Sequence, residues 1–286
     1  MQDIISRIAK NNNFKESQVK AAIELIDEGN TIPFIARYRK EMTGKLDEEE
    51  LRVIQERLDY IRNLKKRKDE VIRLIDEQNK LTKELEEKIK EAEILQEVED
   101  LYRPYKQKRQ TRATKAKEKG LEPLAEIIWK QNKENINLPD LAKDYIDSEK
   151  DLNDYEEVLQ GANDIIAEWI SDDAEIRKKI REISFKKGVI SSSLKDEELD
   201  EKEKYKIYYD YNESVEEIPP HRILALNRGE DEEILNVKIE VPEEKIYSYI
   251  ESKIIKNNSP FKQNLIDVIK DAYKRLIFPS IEREIR

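Results

Sequence analysis

The 286-residue sequence has no cysteine, a single histidine (His221), two tryptophans and only six glycines. The lack of cysteine excludes disulfides and thiolate metal sites, and it suits a reducing compartment. A Ser-His-Asp arrangement would have to use His221, and no serine carries the flanking glycines of a nucleophile elbow. HExxH, the P-loop pattern and GxGxxG are all missing. No apolar run approaches membrane length, and the opening MQDIISRIAKNNN is too polar for a secretory leader. These absences lead us to expect a soluble, cytoplasmic chain that is not an enzyme. We assign no catalytic residue, metal ligand or cofactor, because the many carboxylates are spread along helices and nothing in their spacing selects an acid/base or metal pair.

What is abundant is charge. Charged residues make up 41% of the chain, and the formal net charge is −10. Asp100–Lys119 runs against that balance, with eight basic residues and two acidic ones. It carries +6, so the remainder carries −16. Like charges this close repel one another unless a polyanion is present. The local chemistry suggests an ordered island. Pro104 disfavours helix at Arg103, so a preceding helix should stop there. Thr111 is placed to cap a short helix, Arg112 to Lys119, and Gly120 to end it. Tyr102 and Tyr105 stand beside it. The bland reading is a solvated face with two core tyrosines, and the sharper one is a phosphate-and-base surface.

The helical period of Ile and Leu predicts a mainly all-α fold, an elongated multi-helix scaffold with a small β element. Short helices are expected at Asp3–Lys10 and Glu16–Glu28, a helix-turn-helix-like start. A third follows Thr31 and carries Arg37, Arg39 and Lys40. Asp47 should cap a long helix reaching about Gln78, with Glu48, Glu49 and Glu50 at its positive end. Within it, Lys65-Lys66-Arg67-Lys68 reads as a solvated turn, the sharper alternative being a second phosphate contact. Gly161 lies inside a predicted helix, Leu152–Ile170, which implies close packing. Ser171 is expected to recap the chain, Gly229 to stop the helix of HRILALNRGE, and Pro279-Ser280 to begin a final helix. Strands are expected near 189–194 and 234–241. The tyrosines of YKIYYDYNES are expected to pack against the core. Two regions follow, 1–135 and 136–286. The last helix runs to Arg286 without a cap, which suggests a piece of a longer chain.

Four runs carry a resemblance: IPFIARYRKEMTGKLDE, DLYRPYKQKRQTRATKAKEKGLEPLA, PPHRILALNRGEDEEIL and FPSIEREIR. Together they resemble the N-terminal half of the bacterial Tex family of transcription accessory proteins, which is also similar to the core of a eukaryotic elongation factor that binds histones and RNA polymerase. The resemblance implies a helical N-terminal region followed, in full-length members, by a YqgF-type domain, a helix-hairpin-helix pair and an OB-type RNA-binding domain. The sequence in hand contains none of the three, and most of the family's nucleic-acid affinity is assigned to the last of them. The family-motif positions are Arg37, Arg39, Lys40, Arg109, Arg112, His221 and Arg222, none with a catalytic role.

The functional expectation is therefore a non-catalytic, transcription-associated scaffold that binds RNA or DNA backbone. Its candidate contacts are Arg37, Arg39, Lys40, Arg103, Lys106, Lys108, Arg109, Arg112 and Lys115. The alternative is a protein-interaction scaffold that docks RNA polymerase, other transcription proteins or the C-terminal half of its own full-length chain, without touching nucleic acid.

Overall fold

The strongest helix-start signal in the chain is used in the computed structural model, which describes residues 2–107, 109–132, 137–196, 200, 203–256 and 259–286. Asp47 accepts the Glu50 N–H at 2.8 Å, and the Glu50 carboxylate accepts the Asp47 N–H at 2.9 Å. This reciprocal cap opens a 29-residue helix, Glu48–Asp76. The chain divides into two compact units, Met1–Tyr102 and Arg103–Arg286.

In the first unit, α1 (Gln2–Asn12), α2 (Glu16–Asp27) and α3 (Ile32–Tyr38) lie on α4 (Glu48–Asp76). Ile8, Val19, Ile23, Ile35, Leu51, Ile54 and Leu58 form their shared core. Gly44 turns the chain between α3 and α4 at φ +65°, a conformation that disfavours any Cβ. Helices α5 (Lys83–Glu91) and α6 (Leu95–Tyr102) return along α4. Here the Lys65–Lys68 run departs from expectation. Lys65 and Lys66 are exposed, but Arg67 turns inward. Its Nε and Nη2 meet Glu99 at 2.5 and 3.1 Å, and its guanidinium lies 5.4 Å from the Tyr102 ring centroid. Lys68 donates to the Lys90 carbonyl at 2.7 Å. Half of the run thus ties α4 to the elements that follow it.

The second unit is built around α10 (Tyr155–Asp172), against which pack α7 (Arg112–Glu118), α8 (Glu122–Lys130), α9 (Leu138–Lys143), α11 (Ala174–Lys187) and α14 (Lys262–Asp271). Close approach of α7 to α10 depends on Gly161: a Cβ there would sit 2.3 Å from Leu121 Cδ1 and 3.4 Å from Ala116 Cβ. Asp173, not Ser171, recaps the chain, accepting the Ile176 N–H at 2.8 Å, while the Ser171 hydroxyl donates back to the Glu168 carbonyl. Past α14 the helix does not break. A π-helical turn, Ala272–Ile277, leads directly into α15 (Phe278–Ile285), which holds Pro279 near its start.

Strands β1 (Val189–Leu194), β2 (Asp210–Ser214) and β3 (Leu235–Glu240) form an antiparallel sheet in the order β2-β1-β3. Ser191 stands opposite Asn212 on one side and Lys238 on the other. β2 was not expected, because DYNES shows no apolar alternation. The sheet shares a core with Tyr205, Tyr208 and Leu226 of α12 (Pro220–Asp231). Gly229 does not stop α12. It lies inside the helix because Leu235 packs where its Cβ would be, at 2.6 Å. Among the described residues, no helix is long and apolar enough to cross a membrane.

Candidate nucleic-acid interface

The basic island begins where α6 ends. Arg103–Tyr105 forms a single 3-10 turn, so Pro104 ends the α-helix at Tyr102 while Arg103 stays in helical geometry of another kind. Thr111 then caps α7 by accepting the Thr114 N–H at 3.0 Å, and Gly120 follows at φ +86°. Lys108 lies outside the described residues.

This turn, the loop after it and the start of α7 form one wall of a cleft of about 340 Å³, and α10 with the π turn forms the other. Arg103, Lys106, Arg109 and Arg112 all line it. Opposite them stand Asp164, Glu168 and Asp172. Spaced four residues apart, these carboxylates fall on one face of α10. They hold part of the island. Asp172 Oδ1 lies 3.3 Å from Arg103 Nε. Glu168 accepts the Thr111 hydroxyl at 3.1 Å and lies 4.0 Å from Lys117, which is also 3.6 Å from Glu122. Lys119 donates to the Asp151 carbonyl at 3.0 Å.

Asp164 is the most enclosed of the three, at 7% exposed. Burial pushes its carboxyl above the usual range, against the pull of the Arg275 guanidinium 2.8 Å away and the charge of Arg112. Arg275 comes from the π turn and also grips Asp271, whose hydrogen bonds raise the guanidinium still further.

The outer cations are held differently. Lys106, Arg109, Arg112 and Lys115 are exposed. Among the described residues, Lys106, Arg109 and Lys115 have no carboxylate at ion-pair distance. Arg112 also lines a neighbouring cleft of about 550 Å³ between α7 and α10, where Lys115 joins it and Glu156 and Glu157 face them. The island is therefore a rim of solvated cations over an acidic wall.

Of the remaining candidates, Arg37, Arg39 and Lys40 are exposed at the end of α3 in the first unit. His221 is exposed in the first turn of α12, and Arg222 binds Glu213 at 2.7 Å, tying α12 to β2. Arg275 and the α10 carboxylates were not anticipated. The one available signal was three acids spaced four residues apart, Asp164, Glu168 and Asp172, in the more apolar half of α10. Among the described residues, no group of three His, Asp or Glu side chains is placed to hold a metal ion.

Comparison with known families gives two matches: the Tex-like protein N-terminal domain over residues 2–76, and the Tex central region-like family over residues 134–286. The chain is 52% identical over 98% of its length to the uncharacterized protein YdcI of Bacillus subtilis. It is 41% identical over 82% of its length to Protein tex of Bordetella pertussis. It is 36% identical over 93% of its length to the transcriptional accessory protein Tex of Neisseria gonorrhoeae. It spans 39%, 30% and 36% of those proteins respectively.

Proposed function

The chain belongs to the Tex family, and from that premise we propose that it is a non-catalytic, transcription-associated scaffold whose second unit contacts the phosphate backbone of RNA or DNA along the rim of the α7–α10 cleft. The name of the gonococcal relative supports the transcriptional setting. The observation that carries the contact is the exposure of Lys106, Arg109, Arg112 and Lys115 around one short helix. The carboxylates behind them neutralise the inner guanidiniums and hold the wall in place, so backbone charge meets the outer row alone. Such a site reads charge and spacing, not base sequence.

The test is fluorescence anisotropy of labelled single-stranded RNA and duplex DNA across a salt series. Each phosphate neutralised contributes about 0.7 to the slope of log K against log salt for single strands. Replacing Lys106, Arg109, Arg112 and Lys115 together by Ala should lower that slope by up to about 3, since four contacts are lost. Parent and variant giving the same slope would remove the rim from the binding site. A second reading, docking of RNA polymerase or another transcription protein without nucleic acid, draws on the pairing of Arg103 and Lys117 with α10. It predicts partners that survive nuclease treatment in a pull-down and are lost from the same variant.

A further inference from the structure

Helix α3 of the first unit displays something the cleft lacks, open aromatic faces. Ile32 and Ile35 take its inward side, so Phe34 and Tyr38, one turn apart, fall on the outer side. Tyr38 is 69% exposed and Phe34 38%, with ring centroids 5.2 Å apart and planes tilted by 44°. The Arg39 guanidinium lies 5.7 Å from the centre of the Phe34 ring. Arg37 and Lys40 are exposed beside them, and among the described residues neither has a carboxylate at ion-pair distance. Ile32–Lys40 contains no acidic residue, in a chain whose net charge is −10.

A single exposed aromatic ring is ordinary on a protein surface. Two adjacent rings with a guanidinium over one of them, flanked by two unpaired cations, match the chemistry of an unpaired base and its phosphates. We propose that Phe34, Tyr38 and Arg39 form a stacking platform for the bases of single-stranded nucleic acid, with Arg37 and Lys40 on the adjoining phosphates. A single strand offers a π-face and a negative charge at every nucleotide, which matches two rings and three cations gathered at the end of α3. A duplex hides its base faces and satisfies only the cations. A protein segment would have to supply an apolar pocket and several carboxylates within the same few ångströms.

This platform is independent of the cleft rim, and its signature differs: it depends on bases, not on charge alone. The experiment compares binding of the 286-residue chain to a fluorescein-labelled ten-nucleotide single strand, an abasic strand of equal length and charge, and a blunt duplex. The natural strand should bind at least about 5-fold more tightly than the abasic one, the low end expected for stacking of one base. Tyr38→Ala should erase that difference and leave the salt slope unchanged, and Tyr38→Trp should retain it. Circular dichroism of each variant checks that the helices persist. The four-fold alanine variant of the cleft should keep the base dependence, so loss of salt slope and loss of base preference report on the two sites separately. Equal binding of natural and abasic strands, or Tyr38→Ala behaving as the parent, would overturn the platform. So would a poly-glutamate 20-mer that binds as tightly as the single strand and is lost with Tyr38→Ala, which would mark the surface as a dock for acidic protein segments.

Discussion

Thr111 joins the order of α7 to the wall behind it, and its removal has a calculable cost. Its hydroxyl oxygen accepts the Thr114 N–H at 3.0 Å and donates its proton to Glu168 Oε1 at 3.1 Å. Replacing Thr111 by Val keeps the shape and deletes both bonds. Loss of the cap costs about 1 kcal/mol. The bond to a carboxylate contributes about another 1 kcal/mol, below the roughly 1.5–3 kcal/mol of bonds to charged groups because Thr111 is only half buried. A total of about 2 kcal/mol in a unit of this size should lower its Tm by roughly 4–8 °C. The assay isolates the unit, since both tryptophans, Trp129 and Trp169, belong to it and sit edge to face 5.8 Å apart. Thermal unfolding followed by tryptophan fluorescence should show that drop for Thr111→Val, while Thr111→Ser, which keeps the hydroxyl, stays within about 2 °C of the parent. Salt-dependent binding by Thr111→Val should weaken with its slope preserved, because no cation has been removed. A Tm within about 1 °C of the parent, or Ser and Val variants that melt alike, would refute the coupling of cap and wall.

Two further predictions test packing and acid stability. Gly161→Ala adds a methyl 2.3 Å from Leu121 Cδ1, and Leu121 is 1% exposed with little room to turn. Overpacking of about 1–3 kcal/mol should outweigh the roughly 1 kcal/mol gained in helix propensity, so the tryptophan-reported Tm falls, and adding Leu121→Ala to Gly161→Ala should cost less than the two single changes summed. In the first unit, the Arg62 guanidinium binds both oxygens of Asp27 at 2.7 Å and holds that carboxyl below its usual range. A depressed native pKa means the stabilisation is present above the unfolded carboxylate range and lost as pH falls through the native value. The pair is more than a third exposed and is worth about 0.5 kcal/mol. A carboxyl-carbon NMR titration should place the Asp27 midpoint below that of ordinary aspartates, and Arg62→Ala should return it to their range.

Local features of this chain were legible from sequence because their causes lie within a few residues. The caps at Asp47 and Thr111, the turn at Gly120 and the strand at Val189–Leu194 all follow from backbone sterics and side chains one turn apart. So does the mainly helical character, which comes from the period of Ile and Leu. Gly161 marked a place of close packing although its neighbour, Leu121, lies forty positions away. The run at Lys65–Lys68 shows where that range ends: composition marks it as charged, but Glu99 and Tyr102, more than thirty positions away, decide that Arg67 points inward. Gly229 reads as a helix stop until Leu235 is seen to fill the space of its missing Cβ.

The cleft is the larger case. Its basic wall is a stretch of about ten residues and stands out as charge, whereas its acidic wall is one face of α10, and Arg275 reaches Asp164 across 111 positions of chain. Periodicity states that a helix has an apolar face and a polar one. It does not state which neighbour each face meets, because that depends on how all the helices share one core. The sequence alone thus determined that cations gather near α7, and only the tertiary fold decided which of them are held by carboxylates and which stand free in solvent.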